Sequence, residues 1–569
     1  MKLPSLSLTL SLGLLASSCS CQGTAARTPP VAPSAAAAPT PARGAPRGEL
    51  AWAEFSAETF ARAKAERRFI VLDGSAEWCH WCHVMEAESY HDPRVQAILA
   101  ASFIAVKVDV DSRPDLEERY GDYGWPATVI FSPDGEELGK YRGFIEPERF
   151  AEMLAAVVDG QAASVAPQPA TAPEVSRAPL SEDHLAWIQR AVELELAEYW
   201  DEAQGGWGRR QKSPIGSNNA WLLERAAAGD QTARQQALFA LDQQAHLLDP
   251  VWGGIYQYST GGVWTEPHFE KLMTYQAPAL ENYARAFELT RDPKQLERAR
   301  AMYRFLERFF RGPGGGFFGT QDADLHAHEP QKPFRTGHDY YALDERARLA
   351  LGVPRVDPHE YARDAGLAIA AYATYYQVSG EASALAAAQD AAARTWESHR
   401  DPRGGLTHDI RKVGSARPEL RYLSDNAAFG GALMRLHELT GKPIYLAQAR
   451  ELADFLLEEL RDPRSGGFFA STIDPAAVGV FAERRVPAED HVAAVRFLAR
   501  LAKVEPSERL TSAIAAGLRA ATRPEVIKAR GRFLGDLLLA LEETRGVRGA
   551  GVAPVARVGA AGTADRAAP

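Results

Sequence analysis

The chemistry in this chain concentrates in one six-residue run, Trp78-Cys79-His80-Trp81-Cys82-His83. Two cysteines with two residues between them can form and break a disulfide with each other, because that spacing lets one thiol reach back to the other. The run follows a short apolar stretch, Phe69-Ile70-Val71-Leu72, and leads into Val84 to Glu88, which can continue as a helix. This order predicts a strand, a turn and a helix whose N-terminus is at Cys79. Unpaired backbone N–H groups and the helix dipole favour an anion there. Such a setting lowers a cysteine pKa from roughly 8.5 into a range of about 3.5–7.5. Cys79 is therefore read as the attacking thiol and Cys82 as the resolving one, with Trp78, His80, Trp81 and His83 supporting the pair.

Two other chemistries fit the same letters. Cys79-His80-Trp81-Cys82-His83 satisfies the C-x-x-C-H pattern of covalent c-type haem, with His83 as axial ligand. Haem attachment, however, needs no strand–motif–helix setting. Two Cys and two His could also hold zinc, but each His directly follows a Cys, which leaves little freedom for tetrahedral closure from one short segment. The reading adopted is a redox-active disulfide with no further cofactor and no metal. A second element supports it: Gly124-Trp125-Pro126-Ala127-Thr128 places Pro126 directly before an apolar strand, where proline is tolerated only at the first position or an edge.

The elements that position the motif follow from residues 49–160. Ser56 to Glu66 reads as a helix, Asp92-Pro93 opens another, and Ile104 to Val108 and Ala127 to Phe131 read as strands. Asp134-Gly135 marks a turn, Glu136 to Tyr141 returns antiparallel, and Glu146 to Val158 closes with a helix. Strand–helix–strand, hairpin and helix make an α/β sandwich pattern.

From 181 to 545 the pattern is helical almost throughout, as in the stripe Leu280, Tyr283, Ala284, Phe287. A glycine pair and an apolar residue recur as Gly205-Gly206-Trp207, Gly253-Gly254-Ile255, Gly315-Gly316-Phe317, Gly404-Gly405-Leu406 and Gly466-Gly467-Phe468. Three follow the same lead-in, Asp249-Pro250, Asp401-Pro402 and Asp462-Pro463. That shared lead-in argues against five unrelated turns. A helix–turn–helix unit repeated around a closed or stacked array is expected, and the uneven spacing argues against an open solenoid.

The remaining segments set the compartment and exclude partners. Lys2, the apolar run Leu6 to Ala16 and Ala16-Ser17-Ser18-Cys19 describe an export signal, too short to stay as a spanning helix. Small residues ending at a cysteine resemble a bacterial lipobox, so Cys19 is expected to carry a lipid anchor, with an ordinary secretory signal as the alternative. Ser20 is not the acidic residue that retains some lipoproteins in the inner membrane, which favours the outer membrane. The expected organisation is signal and anchor 1–22, Pro/Ala linker 23–48, α/β domain 49–160, linker 161–180, helical domain 181–545 and disordered tail 546–569. With Lys+Arg 64 and Asp+Glu 74, net charge −10, nucleic acid is not an expected partner. Only four cysteines exclude a disulfide-stapled scaffold.

The run from Trp78 to Glu86 with Glu88-Ser89, then Val106-Lys107-Val108-Asp109, Arg113-Pro114-Asp115 and Gly124-Trp125-Pro126, resembles the spermatogenesis-associated protein 20-like family. Gly253-Gly254-Ile255-Tyr256, Pro267-His268-Phe269-Glu270-Lys271 and Gln321-Asp322-Ala323-Asp324 extend the resemblance over roughly residues 50–500. It implies a thioredoxin-like domain, in which the proline facing the CxxC pair is cis, followed by an all-α (α/α)6 toroid of the six-hairpin glycosidase kind. The chain departs from the family after Lys271, where Leu-Met-Thr-Tyr-Gln lacks the usual acidic residue, and after Asp324, where an insert is shortened.

Sugars bind by stacking on aromatic faces beside carboxylates. Trp207, Trp252, Tyr256, Trp264, His268, Glu270, Asp322, Asp324, Asp425 and Glu489 are therefore the toroid candidates, against the reading that such residues only seal and cap helix ends. The function expected is an envelope-anchored thiol–disulfide oxidoreductase acting on protein thiols or disulfides, with the toroid recruiting a substrate. The alternative is a carbohydrate-active or carbohydrate-binding protein with an accessory thioredoxin-like domain. A scaffold with neither activity is the third class.

Overall fold

The computed structural model describes residues 50–160, 181–410 and 419–547. The expected signal and anchor with Cys19, both linkers, and the tail beyond its first two residues lie outside the described residues.

The N-terminal sheet is built from β1 (Phe69–Ser75), β2 (Phe103–Asp109), β3 (Ala127–Phe131) and β4 (Glu137–Arg142) in the order β2-β1-β3-β4. Strand β1 runs parallel to β2 and antiparallel to β3, and β4 returns antiparallel to β3. Helices α1 (Ala57–Glu66), α2 (His80–Val84), α3 (Pro93–Ser102), α4 (Pro114–Tyr120) and α5 (Pro147–Val158) surround it. Ser56 caps α1 and Asp92 caps α3, each side chain accepting a backbone N–H of the first turn. Alternation along β1 makes two cores: Ile70 and Leu72 pack with Phe60, while Val71 packs with Met85, Tyr90 and Phe150. The strand runs past Leu72, where the apolar letters stop. Its polar end is held because Asp73, Gly74 and Ser75 pair with Lys107, Val108 and Asp109, and Asp73 and Gly74 also pair with Thr128 and Ala127. The helix after the motif is α-helical only to Val84 and then widens into a π turn over Met85–Tyr90.

The second half is a double ring. Helices α6 (Glu182–Glu198), α7 (Gly216–Ala227), α8 (Gln231–Gln244), α9 (Met273–Thr290), α10 (Pro293–Phe305), α11 (Gly337–Tyr341), α12 (Glu345–Leu351), α13 (Ala362–Ser379), α14 (Ala382–His399), α15 (Leu423–Thr440), α16 (Pro443–Phe455), α17 (Ala488–Val504), α18 (Glu508–Ala521), α19 (Pro524–Arg530) and α20 (Gly535–Glu543) follow in order. Helices α7, α9, α13, α15, α17 and α20 each pack on the next, and α20 packs back on α7, closing an inner ring. Outer helices α8, α10, α14, α16 and α18 lie on the inner helix that precedes each of them, and α6 lies on α20. This is the (α/α)6 toroid, closed by joining the first and last helices of the half. Inner helices approach closely where residues are small: a Cβ on Gly366 of α13 would sit 2.7 Å from the Ala428 carbonyl carbon of α15.

The glycine pairs are one repeated device. Each stands at the end of an outer helix and folds it into a tight hairpin, bridging Trp200 to Trp207, Leu248 to Ile255, Arg311 to Phe317, Arg400 to Leu406 and Arg461 to Phe468. Gly253 and Gly254 have φ of 75° and 76°, a region that disfavours any side chain. The lead-in aspartates cap these turns, with Asp249, Asp401 and Asp462 accepting N–H from Val251, Arg403 and Arg464. The chain passes from each hairpin into the next inner helix, so inner-helix N-termini share the hairpin rim.

The thioredoxin-like domain sits on that rim. Glu117 pairs with Arg363 at 2.7 Å, Glu118 with Arg485 at 3.4 Å and Glu77 with Arg355 at 2.6 Å. The Tyr422 hydroxyl donates to Asp115 at 3.1 Å. Phe481 packs among Phe55, Phe60 and Phe131.

Candidate functional site

Strand β1 delivers the chain through Ala76-Glu77-Trp78 to Cys79, which caps α2 with extended backbone (φ −88°, ψ 109°). Its Sγ accepts the N–H of Cys82 at 3.1 Å, and its carbonyl accepts from Cys82 and His83. Cys79 and Cys82 are joined as a disulfide. The thiol of residue 79 thus stands at the helix N-terminus that its position in the sequence requires. Across from it the Trp125–Pro126 bond is cis, and Trp125 packs against the cluster of Ala76, Trp78, Cys79, Cys82 and Val110. Trp78 is anchored by its indole N–H, which donates to Asp111 at 2.6 Å. Trp81 stacks on Phe144.

The toroid completes the cover. Leu272 and Tyr275, at the start of α9, join the same apolar cluster, leaving Cys79 and Cys82 only 3% and 7% exposed. Short strand β5 (Lys271–Leu272) pairs with β6 (Thr320–Gln321), which brings Asp322 and Asp324 over the motif. Asp324 Oδ2 lies 2.7 Å from His80 Nδ1 and 3.1 Å from His83 Nδ1. Asp324 Oδ1 accepts from the Gly337 N–H, Glu270 accepts from the His80 N–H at 3.4 Å, and the Ala323 N–H donates to the Trp78 carbonyl at 3.2 Å.

Burial works against charge on His83, yet Asp322 and Asp324 lift its pKa to about 9. His80 is raised likewise: burial opposes it, and Asp324 outweighs that. Asp324, though buried, is held well below the usual carboxylate range by its hydrogen bonds to the two imidazoles. Glu270 is pushed up to about 7 by burial. One toroid carboxylate therefore holds both histidines of the CxxC motif.

A second tie joins the candidate Asp425 to two residues that the sequence reading did not single out, His408 and Asp111. Asp425, fully buried on α15, meets His408 Nδ1 at 2.9 Å and accepts the Arg363 N–H. His408 Nε2 lies 2.6 Å from the Asp111 carbonyl, and the Asp111 carboxylate takes Trp78. Asp73, on β1 beside Lys107, Glu86 and Tyr90, was also missed. Its buried carboxyl is pushed up to about 7 by desolvation, partly offset by Lys107. A lone carboxylate just after an apolar strand run was the available signal.

The other toroid candidates fall apart from this group. Trp207 packs edge-on against Trp200, and Trp264 covers Gly206 while its N–H donates to the Gln204 carbonyl. Trp252 and Tyr256 are buried against Phe309 and Phe269. These aromatics seal helix ends. His268 stacks on Tyr258 at 4.1 Å, and burial with the nearby His80 lowers its pKa to about 4. Glu489 keeps accessible surface in the first turn of α17, yet desolvation and Asp536 raise its pKa. Contact with water together with desolvation is what a side chain facing enclosed space would show. A cleft of about 670 Å³ lies elsewhere, between Phe55, Arg113 and Arg119 and the toroid loop around Ser471 and Phe481.

Residues 44–158 match a family described as "Protein of unknown function, DUF255", the DsbH-type thioredoxin family. The N-terminal domain is a DUF255 thioredoxin domain. The chain is also similar to human spermatogenesis-associated protein 20, 27% identical over 332 residues, covering 52% of this chain and 42% of the human protein. It thus spans less than half the length of that relative. Thiol:disulfide interchange protein DsbD 1 of Pseudomonas aeruginosa is 36% identical over 100 residues, 16% of this chain and 17% of that one. Cellobiose 2-epimerase from Spirochaeta thermophila overlaps 64% of this chain and 98% of its own, at 14% identity and a TM-score of 0.49. The resemblance read from the motifs is borne out, for the DUF255 domain by its family match and for the toroid by the closed double ring of helices.

Proposed function

We propose that this protein is a thiol–disulfide oxidoreductase whose Cys79–Cys82 pair exchanges with a partner's sulfur while the toroid controls what reaches it. The observation that carries the reading is Cys79 at the N-terminus of α2, its Sγ accepting the Cys82 N–H, with Cys82 in disulfide reach. Backbone N–H groups directed at a sulfur favour its thiolate. In the reducing direction the Cys79 thiolate attacks one sulfur of a partner disulfide, that S–S bond breaks, and the leaving sulfur takes a proton. The Cys82 thiolate then attacks the Cys79 sulfur and expels the second partner thiol. The pair loses two electrons and the partner gains two; the oxidising direction reverses each step. The likeness of the DUF255 domain to a protein named for thiol:disulfide interchange supports this chemistry.

With both sulfurs nearly buried, a small thiol or an extended segment suits the pair better than a rigid folded surface. The pair itself is the redox centre in this reading. Lipid at Cys19 would hold the protein at the bacterial cell envelope, the outer membrane favoured, among protein thiols and disulfides. A carbohydrate ligand in the toroid is the second reading. It is favoured by Glu489 and Asp490 on α17, where burial raises both carboxyls, Asp490 to about 8.

The test is adduct formation with oxidised glutathione after reduction. Cys82→Ser should accumulate a stable glutathionyl adduct at Cys79, seen by intact mass, and Cys79→Ser should accumulate none at Cys82. Equal labelling of both variants contradicts the assignment.

A further inference from the structure

Where loop 322–328 of the toroid meets the turn before Cys79, four potential ligand atoms converge. His83 Nε2, His328 Nε2 and one carboxylate oxygen of Asp322 all lie within 4.8 Å of one another. Asp322 Oδ2 is 3.5 Å from His328 Nε2 and 3.9 Å from His83 Nε2. Both imidazoles also aim the same nitrogen at one backbone carbonyl, that of Glu77, at 3.0 Å from His83 and 2.7 Å from His328. Around a tetrahedral ion with bonds of about 2.1 Å, ligand atoms stand about 3.4 Å apart, and these separations bracket that value.

Two further observations point to a ligand. Asp322 is 2% exposed, and its Oδ2 has no hydrogen-bond partner although it faces two imidazoles. A buried carboxylate oxygen left so is costly unless something cationic meets it. Asp324 takes His83 from the other side, at Nδ1, which fixes the ring and turns Nε2 toward Asp322 and the Glu77 carbonyl. A carboxylate behind a ligating imidazole is the usual support of a metal-bound histidine.

We propose that His83, His328 and Asp322, with the Glu77 carbonyl, bind one divalent first-row transition-metal ion of the zinc and cobalt class. Imidazole and carboxylate ligands without thiolate suit such ions. The ion replaces the proton at His83 Nε2, which leaves to solvent. It would join Glu77 and His83, which flank the cysteine pair, to two residues of the toroid. This site uses neither cysteine, so it stands apart from the redox reading and from any zinc held by the CxxC sulfurs.

The test is titration of the oxidised full-length protein with Co²⁺ and Zn²⁺, followed by calorimetry and by the cobalt absorption spectrum. About one equivalent should bind, with ligand-field bands and no sulfur charge-transfer band. His328→Ala, at an exposed position, and Asp322→Asn should each weaken binding at least about ten-fold, since even supporting residues of metal sites carry that much. A Cys79→Ser/Cys82→Ser double variant should bind as wild type does. Absent stoichiometric binding, an affinity unchanged in His328→Ala, or a thiolate band lost in the double variant would each overturn the proposal. If Asp322→Asn does not fold, the His328→Ala result decides alone.

Discussion

Carboxylates are set around the toroid rim, and two parts of that rim use them differently. On one side Asp324 and Asp425 are met by imidazoles, His80 and His83 for the first and His408 for the second. Each link leads on to the CxxC motif or to Trp78 beside it. On the α17 side, Glu489, which keeps accessible surface, stands beside half-buried Asp490, with Arg530 and Arg363 as neighbouring cations, and desolvation raises both pKa values where that of Asp324 falls. The same residue type is thus a fastening at Asp324 and Asp425, each hydrogen-bonded to an imidazole, and a desolvated acid on α17. The lesson is that the redox motif is seated by half of the rim only, and the other half is open to another use.

That contrast can be broken by mutation. Asp324→Asn removes the carboxylate that His80 and His83 share, and breaking a buried pair in this way costs roughly 3–5 kcal/mol. Chemical denaturation of the full chain should show this loss, while Glu489→Gln, which removes a carboxylate already disfavoured by burial, should move stability by less than about 1 kcal/mol. Equal effects would remove the distinction between the two parts of the rim.

A smaller effect is expected at Asp73, an acid on the thioredoxin side with a pKa of about 7. Its unfolded value is about 3.9, so its contribution to stability is intact below that pH and is lost as pH rises through about 7. The loss is on the order of 4 kcal/mol at most. Asp73→Asn should therefore gain stability over wild type at pH 8 and match it near pH 4. Parallel pH–stability curves for the two proteins would show that the carboxyl is not protonated in the folded state.

How far the sequence discloses this site depends on distance along the chain. The Cys79 cap, the strand before it and Pro126 ahead of β3 are local consequences of residue type, and they could be read directly. The repeated Gly-Gly hairpins were legible too, because a shared Asp-Pro lead-in marks a shared turn. Ring closure was read from the repeats only as a closed or stacked array, and the toroid came from the family resemblance, since α6 and α20 meet from opposite ends of the helical half. Asp322 and Asp324 were visible as acids but not as partners of His80 and His83, from which some 240 residues separate them in sequence. As carboxylates in a helical toroid they were read as candidates for a sugar site, whereas the fold turns them onto the redox motif. Trp207 and Trp264 stand beside glycine pairs, a position that already hinted at covering helix ends.

The central claim is that Cys79 and Cys82 cycle between thiol and disulfide in the folded protein. Equilibration of the full chain in thiol–disulfide buffers of graded potential, followed by alkylation and intact mass measurement, tests it most directly. The account predicts one two-electron transition confined to this pair, within the roughly −270 to −120 mV spanned by thiol–disulfide oxidoreductases. A pair that stays oxidised below about −300 mV, as structural disulfides do, would contradict it.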